Sequence, residues 1–148
     1  MHPFPHHYSV VATGDAGPDA DLNSGPLPTL PFAAPAEFDG PGNRWSPETL
    51  VVAAIAGCFV LTFRAIAAAS KLPWTSLACD VAGTVDRVDR VTQFTRFDIR
   101  ARLRIPPGSN AEQALRLMHK AEQTCLVTNS LKAVPHLEAI VEVDAAAS

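Results

Sequence analysis

The stretch SPETLVVAAIAGCFVLTFRAIAAAS, residues 46–70, constrains the fold more than any other part of the chain. Ser46 can cap a helix, Pro47 fits the first turn, and Glu48 suits the positive end of the helix dipole. The helix this predicts is apolar on every side from Val51 to Phe63 and stops before Pro73 in KLPW. Such a helix needs neighbours all round. A chain of 148 residues rarely encloses one alone, so it is expected to lie in the domain centre or at a subunit interface, with help from a second copy. The apolar run is broken at Arg64, short of the ~20 residues of a bilayer span, so no membrane association is expected.

The remaining composition narrows the class. With 47% hydrophobic and 18% charged residues the chain is globular, and a formal charge of −3 argues against a nucleic-acid role, which requires a clustered positive surface. MHPFPHHYSV has neither a basic n-region nor an apolar h-region, so a cytoplasmic location is expected. Charge is uneven: residues 1–63 hold one cation, Arg44, and every other Lys and Arg follows from Arg64 onward. One domain over residues 1–148 is expected, with 1–44 as an N-terminal arm and 45–143 as the core. In the arm, YSVVAT (8–13) reads as a short strand, and prolines at 18, 26, 28, 31, 35 and 41 predict an edge hairpin with a loose loop.

After the long helix the period changes to two. SLACDVAGTV alternates Leu77, Cys79, Val81, Gly83 and Val85 on one face. RFDIRARLRI sets Phe97, Ile99, Ala101, Leu103 and Ile105 against Arg96, Asp98, Arg100, Arg102 and Arg104, a half-buried antiparallel strand with a wet basic face. Asp98 interrupts that arginine row, and Asp86 and Asp89 are expected to neutralise it, so it reads as a solvated face. PPGSNAEQALRLMHKAEQTC is a second helix, with Ser109 and Glu112 as its capping box and Ala111, Ala114, Leu115, Met118 and Ala121 as its apolar stripe. PHLEAIVEVD reads as a final strand. These elements place the fold in the α+β class.

Three cysteines do not make a disulfide framework in such a chain; each is core, a metal ligand or a reactive thiol. Cys79 shares the inward face of its strand and reads as inert core. The positions 58, 79 and 125 contain no C-x-x-C and no nearby paired histidines, so no metal is expected, nor any other cofactor. Cys58 follows the small residues AAIAG, and Cys125 lies where the second helix gives way to polar, turn-prone residues. Spacing alone leaves open whether these two are buried hydrophobes or a redox pair.

WSPETLVVAAIAGCF followed by AEQTCLVTNSL resembles the OsmC/Ohr family, the osmotically inducible protein C and organic hydroperoxide resistance proteins, over residues 45–143. The family pattern is a Pro-Glu-x-Leu helix start leading to Ala-x-x-x-Cys-Phe, then Ala-x-x-x-Cys-x-x-Ser/Thr-Asn. The resemblance implies an α+β OsmC-like fold, with antiparallel sheets around two central helices and two intertwined subunits. It also implies a thiol peroxidase of the homodimer acting on organic hydroperoxides. Cys58 would be the peroxidatic cysteine, Cys125 the resolving one, and a small dithiol or lipoyl-type compound the reductant. Glu48 resembles the glutamate that partners a thiol-activating arginine. That arginine lies in the N-terminal hairpin of the hydroperoxide-resistance branch, whereas ATGDAGPDAD here has none; Arg44, with Arg64 and Arg87 as other options, is assigned the role. Leu126 stands where many relatives have proline.

Two further expectations concern the site. Glu48 and Cys58 are ten residues apart, about 15 Å along a straight helix, so Glu48 is expected to serve the Cys58 of a partner subunit. Trp45, Phe59 and Phe63 are expected to line a substrate pocket suited to bulky organic hydroperoxides. The competing reading is a non-catalytic redox-sensing or binding protein of the same fold.

Overall fold

A computed structural model describes residues 1–147. The chain forms two compact units, Met1–Val51 and a second that begins at Val52.

The first unit is a three-stranded antiparallel sheet of β1 (Val11–Gly14), β2 (Asp19–Asn23) and β3 (Leu30–Ala33), in the order β1-β2-β3. Here the structure corrects the expected hairpin with a loose loop. The prolines do not prevent a sheet because Pro26 and Pro28 fall in the β2–β3 connection and Pro31 lies on an edge strand. A single 3-10 turn, Ala36–Phe38, then reverses the chain, with Asp39 left-handed at φ 60°. Gly40 closes this turn by donating its N–H to the Pro35 carbonyl at 3.0 Å, and a Cβ there would overlap the Ala34 carbonyl. The returning chain pairs with β3, where the Ala33 N–H donates to the Trp45 carbonyl at 2.9 Å.

Helix α1 (Pro47–Ala69) starts as the sequence predicts. Ser46 Oγ accepts from the Thr49 N–H at 3.1 Å, and the Ser46 N–H donates to Thr49 Oγ1 at 2.8 Å, a reciprocal cap with threonine in place of glutamate. One stripe of α1 is buried: Ile55, Phe59, Phe63 and Ala67, spaced by four. Leu61 on another face is 59% exposed. Because AIAAA follows Arg64, the helix is long and apolar enough, by length and composition, to cross a membrane, in contrast to the shorter run that ends at Phe63.

The second sheet consists of β4 (Ser76–Val88), β5 (Val91–Ile105) and β6 (Pro135–Val143), ordered β4-β5-β6. β4 and β5 form a long antiparallel hairpin, while β6 joins β5 in parallel, with Ile99 opposite Leu137 and Leu103 opposite Val141. Asp89 and Arg90 make the two-residue turn with φ 49° and 67°, the geometry that matches the strand twist. Residues 82–92 are all exposed. On β5 the predicted alternation holds: Phe97, Ile99, Ala101, Leu103 and Ile105 are buried.

The arginine row is neutralised by residues other than Asp86 and Asp89. Arg96 pairs with Asp98 at 2.8 Å, Arg100 with Glu138 at 3.2 Å, Arg102 with Glu142 at 3.7 Å, and Arg104 with Asp144 at 2.9 Å. Asp86 and Asp89 lie out at the hairpin end, whereas parallel β6 brings carboxylates alongside three of the four arginines.

Helix α2 (Ala111–Gln123) packs on β6. Its cap is Asn110 rather than Ser109: Asn110 Oδ1 accepts from the Gln113 N–H at 2.9 Å. Of the expected stripe, Ala114, Met118 and Ala121 are buried, while Ala111 and Leu115 remain exposed. Replacing Ser46 with alanine leaves the first turn of α1 without its side-chain acceptor. We expect a loss of about 1–2 kcal/mol in urea unfolding with the slope unchanged.

Candidate active site

Helix α2 stops at Gln123, and Thr124 closes it by donating its hydroxyl to the Lys120 carbonyl at 2.8 Å. Cys125 is extended (φ −65°, ψ 114°), and the chain at once re-enters a single helical turn, α3 (Leu126–Asn129). The polar residues after Cys125 hold this jog in place. Thr128 Oγ1 and the Asn129 N–H both donate to the Cys125 carbonyl, at 3.2 and 3.0 Å, while Asn129 Nδ2 donates to the Gln123 carbonyl at 3.2 Å. Thr128 and Asn129 therefore position Cys125, a role that residue spacing alone did not reveal.

Cys125 is buried at 1% exposure, and Cys58, one position before the buried Phe59, is partly exposed on an adjoining face of α1. The two thiols are near enough that each acts on the ionisation of the other. Burial raises the Cys58 thiol, but donors outweigh it: the Cys125 thiol, the Val127 N–H, the Thr62 hydroxyl at 3.8 Å and the Leu126 N–H bring it below the ordinary 9.0. Burial pushes Cys125 up, countered by the Thr128 N–H and reinforced by Cys58. The first turn of a helix has no intrahelical acceptors for its N–H groups. Here those of Leu126 and Val127 lower the Cys58 thiol and that of Thr128 lowers Cys125. Leucine at 126 matters because proline would have no N–H to give.

The arrangement favours the thiolate at Cys58 over that at Cys125. Cys79 is different. Burial, then the Asp80 carboxylate and Cys125, push its thiol up to about 11, in keeping with the inert reading.

The other expected site residues lie as follows. Arg44 does not pair with Glu48; its Nη2 reaches Asp19 Oδ2 at 3.7 Å, because β2 places that carboxylate within range. Glu48 Oε2 is buried without a hydrogen-bond partner among the described residues. Trp45, 49% exposed, borders a cleft of about 510 Å³ in the first unit together with Leu30, Pro31, Arg44 and Thr49. Phe59 and Phe63 are core side chains rather than an open pocket wall: both are fully buried, and Phe63 meets Trp74 edge to face at 5.6 Å. A helix apolar all round gave no sequence signal for which face turns inward. Around Cys58 the exposed apolar side chains are instead Leu61, one turn on, and Leu126, 69% exposed.

Residues 40–139 match the family model described as OsmC-like protein. The chain belongs to the OsmC-like protein family. Among curated proteins it is 25% identical over 132 residues to the uncharacterized protein YmaD of Bacillus subtilis (strain 168), covering 86% of this chain and 87% of that one. An OsmC-like protein of unknown function from Vibrio cholerae O1 biovar eltor shares the fold with a TM-score of 0.85 at 18% identity, over 92% of this chain and all of that one. An organic hydroperoxide resistance protein OsmC from Legionella pneumophila does so with a TM-score of 0.73 at 23% identity, over 94% and 100%. The α+β OsmC-like fold expected from the two cysteine motifs is thus observed.

Thiolate reactivity grows as pH rises through the thiol pKa, so alkylation of this OsmC-like protein resolves its thiols. Cys58 is expected to reach half-maximal rate below pH 9.0, and Cys79 only near pH 11. Leu126→Pro fits the first helical position after an extended Cys125 and removes one donor. We expect it to shift the Cys58 profile upward, read by mass-mapped iodoacetamide labelling.

Proposed function

We propose that this OsmC-like protein is a thiol-dependent peroxidase that reduces organic hydroperoxides to alcohols. The observation that carries the reading is that Cys58 and Cys125, remote in sequence, act on each other's ionisation, with Cys58 held below and Cys125 above the ordinary thiol range. The Cys58 thiolate attacks the terminal peroxide oxygen. The O–O bond breaks, and the leaving alkoxide takes up a proton to become the alcohol. Cys58 is left as a sulfenic acid. The Cys125 sulfur attacks it, forming the S–S bond and releasing water with the Cys125 proton. An external small dithiol, of lipoyl type or similar, then reduces the disulfide by thiol exchange and is itself oxidised to a disulfide. No other cofactor takes part.

The surroundings support an organic rather than an inorganic peroxide. Leu61 and Leu126 form an exposed apolar collar near Cys58. Several relatives of the fold are named organic hydroperoxide resistance proteins, in Legionella pneumophila and Elizabethkingia anophelis among others, which agrees with this substrate class.

The functional unit is a homodimer. Helix α1 is apolar around its circumference but buries one stripe against its own chain, and a second copy covers the rest better than a bilayer does, since Cys58 and Thr62 lie on the uncovered side. Glu48 fits the same scheme, for its buried unpartnered oxygen wants a cation. A guanidinium of the second copy would satisfy it and assist that copy's Cys58. Arg44 remains a candidate, as do Arg64 and Arg87. We place the protein in the cytoplasm, where a reducing pool keeps three cysteines free and resupplies dithiol.

Steady-state consumption of cumene hydroperoxide with dihydrolipoamide tests the reading. We expect many turnovers per chain, at least a hundredfold fewer in Cys58→Ser, and in Cys125→Ser a Cys58 sulfenic acid that dimedone traps in place of the 58–125 disulfide. Consumption of one equivalent by the wild type and then none would replace the enzyme with a redox sensor that oxidises stoichiometrically. In gel filtration, Leu61→Glu is expected to shift the dimer toward monomer.

A further inference from the structure

Thr62 lies one helical turn beyond Cys58, and its Oγ1 stands 3.8 Å from the Cys58 sulfur. Resting on the peroxidase reading, we propose that Thr62 is a positioning residue of that site, whose hydroxyl holds the Cys58 sulfur as an aimed thiolate.

The argument begins with helix chemistry. A threonine in mid-helix ordinarily gives its hydroxyl to the carbonyl four residues back, using one of two allowed χ1 wells. The residue four back from Thr62 is Cys58 itself. Its carbonyl and its sulfur are thus alternative partners for one hydroxyl, and the structure sets that hydroxyl within reach of the sulfur; toward a thiolate, which has no proton to give, the hydroxyl is the donor. Helix geometry fixes both Cα atoms and branching at Cβ limits Thr62, so the donor is held ready before any substrate arrives.

The remaining donors to Cys58 all come from the α3 segment: the Cys125 thiol and the N–H groups of Leu126 and Val127. They share one turn of chain with the cysteine that must move when the disulfide forms. Thr62 alone donates from the helix that carries Cys58. It therefore keeps the sulfur oriented while the α3 turn shifts. Once the S–S bond has formed the sulfur is a poor acceptor, and the hydroxyl can return to the Cys58 carbonyl without leaving an unpaired group.

The test compares Thr62→Val, of nearly the same shape, with Thr62→Ser, which restores a hydroxyl, in the full-length protein. The first readout is the pH profile of iodoacetamide labelling at Cys58, mapped by mass, together with ultraviolet thiolate absorbance. We expect the Cys58 profile to move up in Thr62→Val, with labelling about three- to tenfold slower at neutral pH, and to return toward wild type in Thr62→Ser. Thermal melting reports that the fold is intact in both. An unchanged profile in Thr62→Val, or a Thr62→Ser protein as slow as Thr62→Val, overturns the proposal. Thiol titration needs no peroxide. A wild type that turns over no hydroperoxide, yet shows the Thr62→Val shift, would refute the peroxidase and leave the role of Thr62 standing.

Discussion

The approach of the Cys58 and Cys125 thiols, close enough to act on each other's ionisation, is what the functional account depends on. It joins the middle of a 23-residue helix to a jog between two others. Each partner is prepared by ordinary backbone chemistry. On one side, four apolar residues spaced by four fasten α1 to its own chain and leave Cys58 beside the fastened stripe. On the other, Thr124 stops α2, and Thr128 and Asn129 clamp Cys125 so that the next three N–H groups favour the thiolate forms of the pair. The donors are dipoles rather than a fixed positive charge. Dipoles held by the fold favour the thiolate without the desolvation cost of a buried ion.

The second constraint is the circumference of α1. One stripe is covered within the chain, and the remainder presents apolar surface together with Cys58 and Thr62. Soluble monomers rarely expose so continuous an apolar face. A partner copy that covers it would also enclose the thiol site, lower its dielectric and strengthen the polar contacts to Cys58. In that scheme assembly and chemistry depend on the same residues.

Much of the fold could be read in the residues. The Ser46-Pro47 start of α1, the alternation from Phe97 to Ile105, and the second helix are all where local patterns placed them. What escaped the reading had physical reasons. Ser109 and Asn110 are both able caps in adjacent positions, and composition does not choose between them. The acids that pair with the arginine row come from β6, whose parallel register is set by tertiary packing. The inward face of α1 gives no periodic signal, so Phe59 and Phe63 could not be separated from pocket residues. The site was half legible: the two cysteines stood out through the motifs around them, not through their spacing. The Leu126 and Val127 donors are main-chain groups, which no side-chain pattern announces.

The most direct test oxidises the full-length protein with one equivalent of cumene hydroperoxide, quenches free thiols by alkylation and maps the peptides by mass spectrometry. The account predicts one crosslinked pair, Cys58 to Cys125 within one chain, with Cys79 recovered alkylated. A crosslink through Cys79, or all three cysteines recovered as thiols after the peroxide has been consumed, would contradict it.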